Sequence, residues 1–275
     1  MTTSADPDDL RAQYLRVYDE QLRTDAETPS AVAVTLAGPL RLVTFAGGRG
    51  FVTYRDLGGA DEAAIDALVA AARAHFDADP EIRKVEWKTR GHDRAPGLHE
   101  ALLRHGFVAE ETESIMIGPL EALTRDAPVP DGATLRRVVD EPDVRAFSAM
   151  IDAAFGEDVD TDIADALVAR LARGDGMELW VAEVDGRMVG GGRLEPVADS
   201  DVAGIWGGAV LEEYRGRGIY RALTAARATS ALAAGRTLVH SDSTEYSRPI
   251  LERSGLVKVS TTTPYLWRRP PMLIE

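Results

Sequence analysis

Apolar residues recur along this chain with two periods, and the period switches at glycines and prolines. A helical stripe of Leu10, Tyr14, Val17, Tyr18 and Leu22 follows Asp6-Pro7, with proline at the first helical position. Three β-rich runs come next, at 31–38, 40–47 and 51–58, the last two joined through Gly47-Gly-Arg-Gly50 as a hairpin. Ile65, Leu68, Val69, Ala72 and Phe76 share one face of a helix predicted over 60–78. A short strand at Val85–Trp87, a helix from Pro96 stopped by Gly106, and a closing strand at Ser114–Gly118 complete this half. Three prolines in 119–132 predict a linker.

Beyond the linker the pattern restarts. A strand at 134–139 precedes amphipathic helices at Val144–Phe155 and Ile163–Leu171. Strands at 179–184 and 188–197 meet at Asp185-Gly186, a strong hairpin turn. An apolar run through Ile205, Trp206, Val210 and Leu211 then turns through Arg215-Gly-Arg-Gly218 into a helix carrying Ile219, Ala222, Leu223, Ala226 and Leu232, ended by Gly235. A strand at 237–243, a short helix from Pro249 to Ser254 and a closing strand at 258–267 finish the chain. Gly106-Phe107 and Gly255-Leu256 each close a short helix begun by proline, one domain length apart, so the two halves read as one plan used twice.

The length, 275 residues, fits about two domains at roughly 100–200 residues each. A net charge of −14 argues against nucleic-acid or anionic-membrane partners, which need a basic surface. The absence of cysteine excludes disulfides, thiolate nucleophiles and cysteine metal sites, and the five scattered histidines form no metal-ligand spacing. The polar start, without an apolar h-region, is not a signal peptide, and no apolar run approaches the ~18 residues of a membrane span. A soluble cytoplasmic protein is the expectation.

Against that acidic background, Arg215, Arg217 and Arg221 concentrate positive charge at one helix start. A strand turning through glycines into a helix leaves backbone N–H groups unpartnered and aligned with the helix dipole, which makes an anion site. No Lys-Ser or Lys-Thr follows the second glycine, and the third glycine of the dinucleotide fingerprint is missing. Instead, V-L-E-E-Y-R-G-R-G-I-Y from Val210 resembles the pyrophosphate loop of the GNAT superfamily of N-acetyltransferases. Glu245-Tyr-Ser-Arg-Pro-Ile-Leu-Glu-Arg-Ser-Gly-Leu256 resembles that family's second signature. The resemblance covers roughly 134–268; the N-terminal half shares it only in architecture, since Asp56-Leu-Gly-Gly-Ala-Asp-Glu62 puts acids where the phosphate loop should stand.

The resemblance implies an α/β (α+β) fold of two GNAT-like domains, each a mixed, mostly antiparallel sheet flanked by helices. The expected boundaries are a degenerate domain at 1–120, a linker at 121–132 and an acyl-CoA-binding domain at 133–275. It further implies that the strand ending at Val210 splays from the strand Leu238–Ser241 and that acyl-CoA lies in the wedge. Backbone groups near Ala209, Val210 and Leu211 would pair with pantetheine, and the amides from Arg215 through Gly216, Arg217, Gly218 and Ile219 to Tyr220 would hold the pyrophosphate. Ser247 would touch the cofactor or cap the short helix. The implied reaction is transfer of an acetyl group from acetyl-CoA to a small-molecule or peptide amine in a ternary complex. The family's usual acid and base positions, however, are Leu251 and Gly204, which cannot titrate. The candidate substitutes are Tyr246, placed first, then Glu195, His240 and Tyr265. A non-catalytic acyl-CoA-binding or regulatory module is the alternative.

Overall fold

A computed structural model describes residues 6–270. The elements of the first half are α1 (Pro7–Val17), β1 (Ala33–Ala37), β2 (Leu40–Phe45), β3 (Arg49–Tyr54), α2 (Glu62–Asp77), β4 (Lys84–Arg90), α3 (Leu98–Arg104), β5 (Val108–Ala109), β6 (Glu113–Pro119) and α4 (Leu120–Leu123). The second half has β7 (Ala133–Val138), α5 (Glu141–Phe155), α6 (Thr161–Arg173), β8 (Glu178–Val184), β9 (Arg187–Pro196), β10 (Val202–Val210), α7 (Ile219–Ala233), β11 (Leu238–Ser243), α8 (Arg248–Arg253) and β12 (Val257–Arg268). None of the helices among the described residues is long and apolar enough to cross a membrane.

The chain forms two compact units, and they group the elements otherwise than by halves. One unit comprises Val17–Ser114 and the stretch from Ser260; the other comprises the stretch up to Arg16 together with Ile115–Val259. The closing strand of each half therefore belongs to the unit built mainly from the other half. Chain halves at 1–120 and 133–275 do not describe this exchange.

In the first unit the strand order is β1-β2-β3-β4-β12, with β5 also on β12. β3 and β4 run parallel, and β12 pairs antiparallel with β4 from Thr262↔Arg90 to Arg268↔Lys84. Alternate residues Val85 and Trp87 of β4 and Tyr265 and Trp267 of β12 meet Ile65, Val69, Ala72 and Phe76 of α2 in one core. In the second unit the order is β6-β11-β10-β9-β8-β7. Asp185 and Gly186 both take positive φ (50° and 76°), as the two-residue turn between β8 and β9 requires.

Successive residues of the second sheet serve opposite faces. Leu179, Val181, Ala209 and Leu211 pack with Phe147 and Met150 of α5 and Leu167 of α6. Ala182, Val189 and Val210 pack with Ile219 and Leu223 at the head of α7, while Leu194, Ala203, Ile205 and Val239 meet Ala228 and Ala231 further along it. The glycines of β9 allow this close approach: a Cβ on Gly191 would stand 2.6 Å from the Phe147 ring, and one on Gly192 would stand 2.4 Å from Arg227 Nη1.

The stretch expected as linker is partly core. Leu120 and Leu123 of α4 are buried beside Leu251 and Leu256. Prolines at 128 and 130 punctuate the segment but do not detach it. Leu123→Ala should therefore cost about 2–4 kcal/mol, read as a lowered denaturant midpoint; a change within ~0.5 kcal/mol would mean that α4 is peripheral.

Candidate functional site

The site is built where β10 and β11 part. These strands pair in parallel at Val202↔Leu238, Ala203↔Val239 and Gly204↔His240. Beyond that rung β10 runs on to Val210 and β11 to Ser243 without pairing to each other, leaving a fork. On its other side β10 pairs with β9, but the register slips between Trp206 and Ala209, where β10 carries one extra residue. Gly207, at φ +56°, supplies the backbone for this bulge.

At the wide end of the fork the chain turns into α7. Gly216 (φ +75°) and Gly218 (φ +85°) adopt the left-handed region, and an added Cβ on Gly216 would meet open space. Gly218 is the N-cap residue and offers no side chain to cap the helix. None of the amides from Gly216 to Arg221 has an acceptor among the described residues. Such a row of uncapped N–H groups is matched to an oxyanion. The corresponding helix start in the first unit is closed: Asp61 Oδ1 accepts from Ala64 N at 2.9 Å.

The structure redistributes the residues expected to hold the diphosphate. The Arg215 amide already donates to Glu212 O (3.1 Å), so it lies outside the unpartnered row. Its side chain turns inward, with Nε on Val210 O (3.1 Å) and Nη2 on Ala154 O (3.0 Å), and braces the loop against α5. Arg217 Nη2 donates to Glu213 O and its guanidinium lies 4.9 Å from the Tyr214 ring; Arg221 donates to Asp126 O. These acceptors are carbonyls, which hold the side chains without neutralising them. Of the backbone groups expected to meet pantetheine, Leu211 N is taken by Val189 O (2.9 Å) and Val210 O by Arg215, while Ala209 pairs with Gly191. Antiparallel alternation turns the remaining Val210 amide toward the fork.

A shallow cleft borders the start of α7. Tyr220, Arg221 and Thr224 of α7, Ile250, Leu251 and Ser254 at α8, and Leu123, Arg125 and Ala127 line it. Tyr220 thus borders it while Ile219 is buried in the core beneath α7, and Leu251 is a buried wall rather than a proton donor. Ser247 does not cap α8; its Oγ donates to Thr244 O at 3.4 Å. Tyr246 is 89% exposed, on the turn before α8, with no hydrogen bond among the described residues. The expected proton donor thus stands in solvent.

The other candidates separate cleanly. Tyr265 belongs to the first unit, where its hydroxyl meets His99 Nδ1 at 2.7 Å, and burial raises its pKa. Glu195, Gly204 and His240 form one rung of three adjacent strands, so Glu195 and His240 flank the glycine on one face. A Cβ on Gly204 would stand 2.4 Å from Trp206 Nε1: the indole fills the space of the missing carboxylate. Trp206 also meets the His240 ring edge-on at 5.0 Å. Glu195 is engaged by Arg170 (2.6 Å), which lies in turn 3.0 Å from Asp175. His240 is buried with Nε2 3.1 Å from Asp242 Oδ1, a partner that the sequence reading missed. The alternation His240-Ser-Asp242 on a strand was the available signal, since residues i and i+2 share a face.

A second feature carried no sequence signal. Arg227 is 1% exposed, beneath Gly192 and Gly208. Burial draws its pKa down to about 10, with nearby Tyr220 opposing the shift, so it stays charged at neutral pH.

In the first unit the equivalent fork is filled. β3 and β4 pair only as far as Val52↔Trp87. Beyond it Arg90 Nη1 donates to Thr53 Oγ1 (3.0 Å), Arg90 pairs with Glu27, and Arg23 Nη2 donates to Tyr54 O (3.0 Å) while Asp93 holds the same guanidinium at 2.8 and 3.0 Å.

Comparison with known proteins agrees with this geometry. The model of the acetyltransferase (GNAT) family matches residues 145–255, which span the fork, the turn and α8. That stretch resembles a GNAT domain. No curated protein sequence matches the chain. Among solved structures, a GCN5-related N-acetyltransferase from Kribbella flavida superposes with a TM-score of 0.65 at 19% identity over 96% of both chains. One from Sphaerobacter thermophilus gives 0.61 at 17% identity, over 96% of this chain and 87% of the other. A tandem GNAT protein from the clavulanic acid biosynthesis pathway gives 0.59 at 15% identity over 98% of each. The chain therefore has the tandem GNAT fold, a mixed and mostly antiparallel α/β architecture.

Because Gly192 exists to admit the Arg227 guanidinium, Gly192→Val should lower stability by more than about 2 kcal/mol. A near-neutral result in denaturant unfolding would mean that the guanidinium has room elsewhere.

Proposed function

We propose that the protein is an acetyl-CoA-dependent N-acetyltransferase acting on an amine by direct transfer in a ternary complex. The observation that carries this reading is the uncapped head of α7 at the mouth of an open fork. Backbone amides from Gly216 to Tyr220 would take the diphosphate, Val210 the pantetheine arm, and Ser247 would border it. The thioester supplies the activated acyl group. The fork's narrow end supplies the protein's side of the chemistry.

There, His240 has the hydrogen-bonded carboxylate of Asp242 to orient its ring, and it would take the proton of the attacking amine. Trp206 covers Gly204 and shields the rung from water. An acidic protein surface suits a cationic acceptor through steering. The soluble, cytoplasmic setting expected from the sequence suits such a small-molecule or peptide amine. Tyr246 could reach the leaving thiolate only by leaving solvent, which makes a water relay the better source of that proton.

The filled fork and capped helix of the first unit support a stoichiometry of one acetyl-CoA per chain, read by calorimetry; a second equivalent would overturn the assignment of roles to the two units. Gly218→Asp adds a carboxylate to the row of amides and should weaken acetyl-CoA binding more than about 100-fold, on the order of 3 kcal/mol, with the far-UV circular dichroism spectrum unchanged. Unaltered affinity would remove the diphosphate from this loop.

The alternative is a non-catalytic acyl-CoA-binding module, favoured by the buried Leu251 and by the indole over Gly204. Thiol release from acetyl-CoA across an amine panel separates the two. With the amine so identified, His240→Asn should lower kcat by roughly 10²–10⁴ at unchanged acetyl-CoA affinity. Binding without release on any amine would favour the module.

A further inference from the structure

Arg227 is a buried cation for which no carboxylate among the described residues provides a counter-ion. Its three hydrogen bonds go to neutral acceptors: Nε to Leu223 O, Nη1 to Arg193 O and Nη2 to Thr224 Oγ1, each at 3.2 Å. Burying a charge without an opposite one is costly, and an apolar side chain of similar length would fill the same space at less expense in desolvation. Two glycines are arranged to let this cation reach the sheet. A Cβ would stand 2.4 Å from Nη1 at Gly192 and 3.3 Å from Nη2 at Gly208. Gly208 lies in the bulged stretch of β10, between Trp206 and Ala209, on the unpaired part of the strand beside the fork.

This position matters once the acyl-CoA reading of the fork is adopted, on which the inference rests. An arm that starts at the head of α7 and passes Val210 toward the closed rung Gly204↔His240 brings its acyl end to Trp206–Gly208. The guanidinium lies behind that same backbone. With 1% of its surface exposed it cannot touch the substrate, so it acts through the intervening peptide groups and through its field. We infer that Arg227 is a positioning residue: its uncompensated charge fixes the Gly207-Gly208 bulge and polarises the carbonyl of the bound thioester. A fixed positive charge in a water-excluded site favours the electron density that moves onto the carbonyl oxygen as the amine attacks. The charge is present at neutral pH, since its pKa falls no further than about 10.

Isotope-edited infrared spectroscopy of acetyl-CoA labelled with ¹³C at the acetyl carbonyl reads this directly and needs no acceptor amine. In the wild-type complex the carbonyl stretch should lie below its frequency in free acetyl-CoA. Arg227→Met should return it most of the way toward the free value while the dissociation constant changes by less than about threefold. Arg227→Lys, which keeps the charge, should retain the greater part of the displacement. A band at the same position in the methionine and wild-type complexes would overturn the inference, as would a band in the lysine variant matching that of methionine. Should the methionine variant not fold, Arg227→Gln removes the charge while keeping a donor within the site, and the same two outcomes apply. A wild-type protein that binds no acetyl-CoA would instead refute the acyl-CoA reading itself, and this inference with it.

Discussion

The arrangement depends on backbone N–H groups that the protein itself does not satisfy. A helix start must find acceptors from caps, water or ligand, and the two equivalent helices of this chain answer that need differently. At α2 an aspartate closes the end from within; at α7 a left-handed glycine leaves it open. A single cap residue therefore separates a closed helix start from an open one. Arg215 contributes by holding Val210 and Ala154 in place so that the loop keeps its shape. It acts as a brace where its charge alone suggested a direct contact.

The same contrast recurs at the forks. Both units pair two parallel strands for a few rungs and then let them part. Arg23 and Arg90 occupy the opening in one, using the strand carbonyl and the threonine hydroxyl that a ligand would otherwise meet. In the other no side-chain pair of that kind spans the opening among the described residues, and its closed end gathers Glu195, His240, Asp242 and Trp206. Gly204 is thus not an empty position. The indole occupies its space, and the neighbouring strand carries the titratable group.

Much of this was legible because local rules and tertiary structure agree. Helix stripes, period-two strands, the Asp185-Gly186 turn and the glycine-bounded loop before α7 depend on residues close in sequence. What was not legible depends on distant partners. The prolines of 119–132 look like a linker, yet Leu120 and Leu123 had apolar surfaces to bury. Tyr246 looked suitable by position, but the turn that places Ser247 leaves its ring in water. Arg227 sits in an alanine-rich helix with nothing to distinguish it from a surface arginine; only the glycines across from it, on two other strands, reveal its place. Which unit a closing strand joins is equally hidden, because an apolar run such as Ile115-Met-Ile117 fits any sheet that offers an edge.

That exchange of closing strands bears on how the polypeptide is made. The first unit, though most of its residues precede the second unit in the chain, lacks β12 until the residues up to Val259 have been synthesised, and β12 supplies Tyr265 and Trp267 to its core. Domains ordinarily mature in order of synthesis. Here the earlier one must wait, its apolar face uncovered, until the other unit has been made and β12 follows, so a premature stop between Gly132 and β12 would compromise the part already synthesised.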